Sequence, residues 1–366
     1  MVSPLLVAAA AVAAVCLLVA AITLFISVIR FWLDQRREAI RTELMPELFV
    51  RLDQPDPDWA GWYESHSRLE RYVIRVVVAQ YLRRLRGYEH QQLLSLAAAA
   101  GVDDRADRSL DSWRLTRRRR GLIWLCLLER PVSTDRLRAT CLGHSETRAA
   151  AARLLFVCEG ETAADDGTSL LCFRNDERLS VFGLDTLYRL NRVDASALTS
   201  KLIVDGEWWD EELLLQSLLV LAHCRLERRS DLFEWLGELL EHDSPQVRAA
   251  ALAAFERQGW SPEIRARVDI ERALSDPDPG VRTACYDLLG RWGDRSSVEW
   301  LQYAVVTDPN ERCRLTAART LTRIGAALPS ALDIDPETEP AEVATAAIEW
   351  AQAESNPPRR ASVGWS

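Results

Sequence analysis

From Leu5 to Ile29 the chain is a run of mainly apolar residues with no charge and no proline. Coiled as a helix it would extend about 37 Å, enough to cross a hydrocarbon layer of about 30 Å with some tilt. The pattern predicts a membrane span over residues 1–29, with the bilayer contacted through residues 5–29. A cleaved secretory signal would need a basic start and a small-residue cleavage site, and no basic side chain precedes Arg30. Phe31 and Trp32 suit the interface, and Arg30, Arg36, Arg37 and Arg41 follow within the distance where basic residues set orientation. The expected topology is therefore a single-pass protein of the cell (inner) membrane, amino terminus outside and the remainder cytoplasmic. Asp34 to Leu52 can continue as an amphipathic helix, which the prolines of Asp53-Gln-Pro-Asp-Pro-Asp58 break. Residues 30–58 thus read as a juxtamembrane helix and linker.

Between Trp59 and Ile324, apolar stretches of helical spacing alternate with short polar breaks. Leu69, Val73, Val77, Tyr81 and Leu85, for example, recur at helical intervals across a valine-rich stretch that could otherwise suggest a strand. The body is expected to be all-α. Ser244-Pro-Gln-Val-Arg-Ala-Ala-Ala251, Asp278-Pro-Gly-Val-Arg-Thr-Ala-Cys285 and Asn310-Glu-Arg-Cys-Arg-Leu-Thr-Ala317 share one cadence, with arginines at Arg248, Arg282 and Arg314. Each segment is a polar or proline turn followed by a helix with small residues on one side, so one step equals one helical hairpin. An earlier copy, His144-Ser-Glu-Thr-Arg-Ala-Ala-Ala151, puts Arg148 about three units upstream, across intermediate units that are degenerate. Val247 and Val281 hold the apolar position before the arginine. Gly290 and Gly325 are expected to close helices.

This arrangement resembles the HEAT-repeat family, most closely its short repeats of about thirty residues. Residues 240–325 carry the resemblance, and six to eight units are expected in all. The resemblance implies an α-solenoid over residues 59–330, since one hairpin cannot bury its apolar face alone and stacked neighbours share a core and leave a long binding surface. Arg148, Arg248, Arg282 and Arg314 then read as a structural ladder to acidic or carbonyl groups of adjacent units. Residues 331–366 read as an acidic, partly disordered tail with one helix near Ala341 to Ala353.

Acidic residues exceed basic ones by 54 to 45, a net charge of -9, which argues against a general grip on nucleic acid. The cysteines lie singly, without C-x-x-C, as small buried hydrophobes would in a reducing compartment. Five histidines at unrelated spacings give no metal motif, and no phosphate loop or nucleophile elbow is present. His223 beside Cys224 cannot form a thiol–histidine pair, because adjacent helical residues diverge by about 100°. No cofactor, metal or small-molecule substrate is expected.

Two features suit a partner. Trp208 and Trp209 are adjacent, so one could face outward as an anchor, although burial of both is the expectation. In Arg114-Leu-Thr-Arg-Arg-Arg-Arg120, the consecutive Arg117, Arg118, Arg119 and Arg120 fan around a helix and cannot all face one way. They could pair with Asp103, Asp104, Asp107 and Asp111, or meet anionic lipid, an acidic partner or the acidic tail. The reading is a membrane-tethered, non-catalytic scaffold that binds a protein partner at the membrane, with an envelope or polysaccharide assembly as one client. The alternatives are a peripheral sensor of anionic lipid or of a signal and, from a resemblance to some HEAT-like solenoids, a DNA glycosylase.

Overall fold

A computed structural model describes residues 4–174, 177–225, 229–329 and 340–355, the side chains of 4–15, 340–345 and 355 excepted. Among the described residues all regular structure is helical. The chain divides into two compact units, Met1–Pro131 and Val132–Ser366.

The amino-terminal unit starts with α1 (Pro4–Leu52), a single helix that runs through both the apolar stretch and the amphipathic stretch after it. Its apolar part has nothing packed on it from Cys16 onward: Leu17, Leu18, Leu24 and Phe25 are each more than 60% exposed. Past Arg36 the helix changes character. Leu48 and Leu52 are buried, and Ile40, Leu44 and Met45 pack beside them.

That end of α1 joins a core with α2 (Trp59–Ser65), α3 (Arg68–Leu82) and α4 (Tyr88–Ala99). Two tryptophans are absorbed here with their indole N–H groups satisfied, Trp59 donating to Gln92 at 3.0 Å and Trp62 to Glu47 at 2.6 Å. Helix α3 begins with a capping box, the Ser67 hydroxyl accepting from the Glu70 amide while Glu70 accepts from the Ser67 amide. Val73 and Val77 are buried as the spacing requires, and Leu85 lies just past the helix end.

The unit closes with α5 (Val102–Leu110) and α6 (Leu115–Leu127). A Cβ at Gly121 of α6 would fall 1.8 Å from the Ser109 hydroxyl and 2.7 Å from the Ala106 carbonyl, so glycine is what allows the two helices to approach this closely.

The carboxyl-terminal unit is a double row of helices. In chain order these are α7 (Thr134–Cys141), α8 (Ser145–Glu159), α9 (Ala164–Leu171), α10 (Val181–Asn191), α11 (Ser196–Asp205), α12 (Glu211–His223) and α13 (Ser230–Leu239). There follow α14 (Pro245–Gln258), α15 (Pro262–Arg267), α16 (Ile270–Leu274), α17 (Pro279–Trp292), α18 (Arg295–Thr307), α19 (Glu311–Arg323) and α20 (Pro340–Ser355).

Helices α8, α10, α12, α14, α17 and α19 each pack on the next, forming one row. Their hairpin partners form the second, with α9, α11, α13 and α15 likewise in succession. The row owes its closeness to small side chains: Ala150, Ala151, Ala251, Ala254, Ala317 and Ala318 are buried on its members. This is the nearest-neighbour construction of a solenoid, in which each hairpin buries its apolar face only against those beside it.

Two expectations are corrected. Gly290 does not close α17, which continues to Trp292 and ends at Gly293 with φ +64°. Gly290 instead marks a close crossing with α19, because a Cβ there would lie 2.0 Å from the Thr320 methyl. The second correction concerns the tail. Helix α20 lies beyond the expected end of the solenoid at 330, yet it packs on α18 and α19, with Ala347, Ile348 and Ala351 buried. Arg319 pairs with Glu354 at 2.7 Å and sits over the Trp350 ring. The remaining expected tail, 331–339 and 356–366, is outside the described residues.

Candidate functional site

In the carboxyl-terminal unit the four repeat arginines share one geometry. Each stands in the first turn and a half of its helix and donates to the carbonyl six residues upstream: Arg148 to Leu142 at 3.0 Å, Arg248 to His242 at 2.8 Å, Arg282 to Asp276 at 2.8 Å and Arg314 to Asp308 at 2.8 Å. In three of them the guanidinium then reaches a carboxylate of the next unit. Arg148 meets Glu177 at 2.6 Å, Arg248 meets both oxygens of Asp276 at 2.8 and 2.9 Å, and Arg282 meets both of Asp308 at 2.9 and 3.0 Å.

Asp276 and Asp308 therefore work twice, the side chain holding the preceding unit's arginine and the backbone carbonyl holding its own unit's arginine. The result is a continuous polar chain from Arg248 to Arg314. Tyr286 adds a hydroxyl donor to Asp308 at 2.5 Å. Burial is the largest single influence and would push both carboxyls up, but several donors and charges acting together hold each below the usual carboxylate range: Arg248, the Asp278 amide and the charge of Arg282 at Asp276, and Arg282, Tyr286 and the Asn310 amide at Asp308. The Arg148 hydrogen bond does the same for Glu177.

The register breaks in the middle, where Leu184 of α10 and Leu214 of α12 occupy the position four residues after the cap that arginine fills elsewhere. There Gln216 clamps both backbone groups of Leu179, and Arg153 pairs with Asp185. Val247 and Val281, one residue before their arginines, are buried, and Cys313 takes the equivalent place in α19.

The adjacent tryptophans separate. Trp208 ends a short 3-10 turn, Gly206–Trp208, and is 70% exposed, whereas Trp209 is in extended backbone and buried. Expected burial of both is thus wrong for Trp208, because the tight turn rotates its side chain away from the core that Trp209 enters. Trp209→Ala is expected to cost about 3–5 kcal/mol and Trp208→Ala to leave thermal melting unchanged, since only the first opens a cavity. Nearly equal melting shifts would contradict this assignment.

Asp210 caps α12. Next to it Glu211 accepts from the Ser244 hydroxyl at 2.5 Å and Glu212 pairs with Arg178 at 2.9 Å, so these carboxylates serve the helix start and its neighbours. The His223 ring bonds the Leu219 carbonyl at 2.8 Å, and burial pushes the Cys224 thiol up to about 12, keeping it protonated.

In the amino-terminal unit the arginine run splits by helical phase. Arg118 donates to the Ser112 carbonyl at 3.0 Å, and Arg114 lies over the Trp113 ring. Arg117 and Arg120, three apart and on one face, line a half-open cavity of about 910 Å³ formed with α3 and α5. Arg75, Arg83, Arg84, Arg105 and Arg108 line it too, and none of these five was singled out from the sequence. Their signal was present in helical spacing: Tyr72, Val76, Ala79 and Arg83 fall on one face of α3, as Arg117, Arg120, Trp124 and Leu127 do on α6.

Residues 268–363 match the family model for HEAT repeats. No curated protein matches the chain. The matched stretch begins just before α16 and takes in α17, α18, α19 and α20, the part in which the arginine ladder is most regular.

Proposed function

We propose, on the premise that the chain carries HEAT repeats, that it is a membrane-tethered, non-catalytic scaffold whose helical rows capture a protein partner beside the cytoplasmic face of the membrane. HEAT repeats make it a helical repeat protein suited to protein interaction. The tether is carried by one observation: the apolar stretch of α1 is uncovered from Cys16 on, including Ile22, Leu24, Phe25, Val28 and Ile29. An uncovered run of that length needs a non-aqueous environment, and a bilayer supplies one. A single span supplies no transport path, so its use is confinement, which raises the effective concentration of the rows near a membrane-borne partner. Trp208 is the favoured anchor, an exposed rigid aromatic on the carboxyl-terminal unit. An envelope or polysaccharide assembly is the kind of client this arrangement suits.

Crosslinking in intact membranes followed by affinity capture is expected to recover a discrete partner with the full chain. Recovery should fall at least about tenfold with Trp208→Ala, corresponding to about 1.4 kcal/mol at an interface hot spot. Recovery by a span-deleted chain at the same level would remove the tether from the reading.

Orientation needs its own reporter, because Cys141 and Cys285 are buried and burial pushes the Cys285 thiol up to about 12. Arg295, whose side chain is 94% exposed, provides one. With Arg295→Cys, an impermeant maleimide added to intact cells should give no label beyond that of the parent chain until the membrane is permeabilised. Labelling from outside would reverse the proposed topology.

A further inference from the structure

Seven arginines line the α3–α5–α6 cavity and no aspartate or glutamate does, in a chain whose acidic residues outnumber its basic ones. The concentration of charge is therefore local. Among the described residues no carboxylate pairs with Arg83, Arg84, Arg105, Arg117 or Arg120, and all five are exposed. Guanidinium groups gathered from three helices and left without internal partners are suited to an anion with several acceptor oxygens, and their planar forks match phosphate.

The same cavity is lined by Val76, Ile123, Trp124 and Leu127, with Val76 and Ile123 each at least 40% exposed. An apolar wall beside a cationic one fits an amphiphile better than a small inorganic ion. Its volume falls within the range usual for ligand pockets.

Position selects among amphiphiles. Tyr72 and Gln80 of the cavity wall are held by α1, with the Arg37 guanidinium 5.0 Å from the Tyr72 ring centre and Arg41 donating to Gln80 at 3.3 Å. Arg37 stands eight residues past Ile29, about 12 Å further along the helix axis. The α1 contact therefore lies just beyond a headgroup layer of about 5–7 Å once the apolar run is in a bilayer, within an arginine side chain's reach of the phosphates.

From this geometry we infer that the α3–α5–α6 cavity is a binding site for the phosphate-bearing headgroup of an anionic membrane lipid, an assignment that rests on α1 being inserted. Arg117 and Arg120 face the phosphate from α6, Arg83 and Arg84 from the end of α3, and Arg105 from α5, while Ile123, Trp124 and Leu127 accompany the proximal acyl carbons. Arg118, turned to the Ser112 carbonyl, is not a ligand.

The test uses the full chain in a non-ionic detergent, titrated with phosphatidylglycerol or phosphatidylcholine and read by native mass spectrometry. Phosphatidylglycerol should be retained at least tenfold more tightly than phosphatidylcholine. Arg117→Gln with Arg120→Gln should weaken it on the order of thirty-fold, the scale expected when two basic side chains beside a headgroup are neutralised. Arg117→Lys with Arg120→Lys should recover much of the affinity. Arg291→Gln with Arg312→Gln removes the same charge at exposed places outside the cavity and should have no effect. All these substitutions are of exposed side chains, so unchanged thermal melting is the check on folding.

Equal retention of the two lipids, or equal loss in the Arg291 and Arg312 control, would overturn the site. Calorimetry with pyrophosphate is the remaining arm: binding as tight as phosphatidylglycerol, with the same arginine dependence, would identify a free phosphate compound and overturn the lipid. Carbonate extraction of membranes reads the tether separately. An extractable chain that still prefers phosphatidylglycerol in detergent would refute the tether while keeping the cavity's selectivity, and a resistant chain indifferent to that lipid would do the reverse.

Discussion

Replacing Arg282 with alanine is expected to lower the stability of the carboxyl-terminal unit by about 3–5 kcal/mol, the cost of leaving one member of a buried ion pair alone. Asp308 is 2% exposed at its side chain and would keep only the Tyr286 hydroxyl and the Asn310 amide as donors. The Asp308 backbone carbonyl would still hold Arg314, so the ladder would be cut at one rung. Urea unfolding at neutral pH, followed by circular dichroism and tryptophan fluorescence, measures the effect.

Its pH dependence has a definite sign. A carboxyl held below its unfolded value of about 3.9 contributes stability that is complete above that value and disappears as pH falls through the lower folded value. Asp308 is such a group. The deficit of Arg282→Ala should therefore be greatest near pH 7 and shrink as the pH falls below about 4. A deficit independent of pH, or under about 1 kcal/mol as for exposed pairs, would show that the Arg282–Asp308 pair does not hold adjacent hairpins together.

Val281→Asp should destabilise by a similar amount, about 3–5 kcal/mol, through a different cause. Val281 is 2% exposed at the start of α17, a helix that packs on both α14 and α19. A carboxylate there would lose hydration with no guanidinium provided for it. Because α17 joins two neighbours in the row, the damage should spread: amide exchange should quicken in α14 and α19 as well as in α17. Exchange confined to α17, or an unchanged urea midpoint, would mean that the neighbouring hairpins do not depend on this face.

These two residues were recognisable in the sequence because the signal that carries them is short. A polar cap, a proline, an apolar residue and an arginine fall within five positions, and each has a job within its own turn: capping, starting the helix, entering the core and reaching a carbonyl six residues back. The Arg148 copy was legible with fewer of these, through the arginine four residues after the cap and the alanines that follow it. The degenerate units were not, because Leu184 and Leu214 replace the arginine and contacts such as Gln216 to Leu179 join residues 37 apart with no common motif.

The phosphate-site candidates were legible only in part. Four consecutive arginines announce that some must face a groove, and Arg117 and Arg120 share a helical phase. That the groove is walled by Arg83, Arg84 and Arg105 depends on how α3 and α5 lie against α6, and on the glycine at 121 that permits the α5–α6 approach.

By itself the amino-acid order determined the helical character of the body, the uncharged length of α1 and the register of the regular repeats, since each follows from side chains within a few turns of one another. Tertiary structure decided which tryptophan of the 208–209 pair is presented outward, that Gly290 serves a helix crossing, that α20 joins the rows, and that scattered arginines share one cavity. The tryptophan choice follows from the tight turn at Gly206–Trp208 set against the core that Trp209 enters, and the others depend on distances between segments many residues apart, which are set by packing.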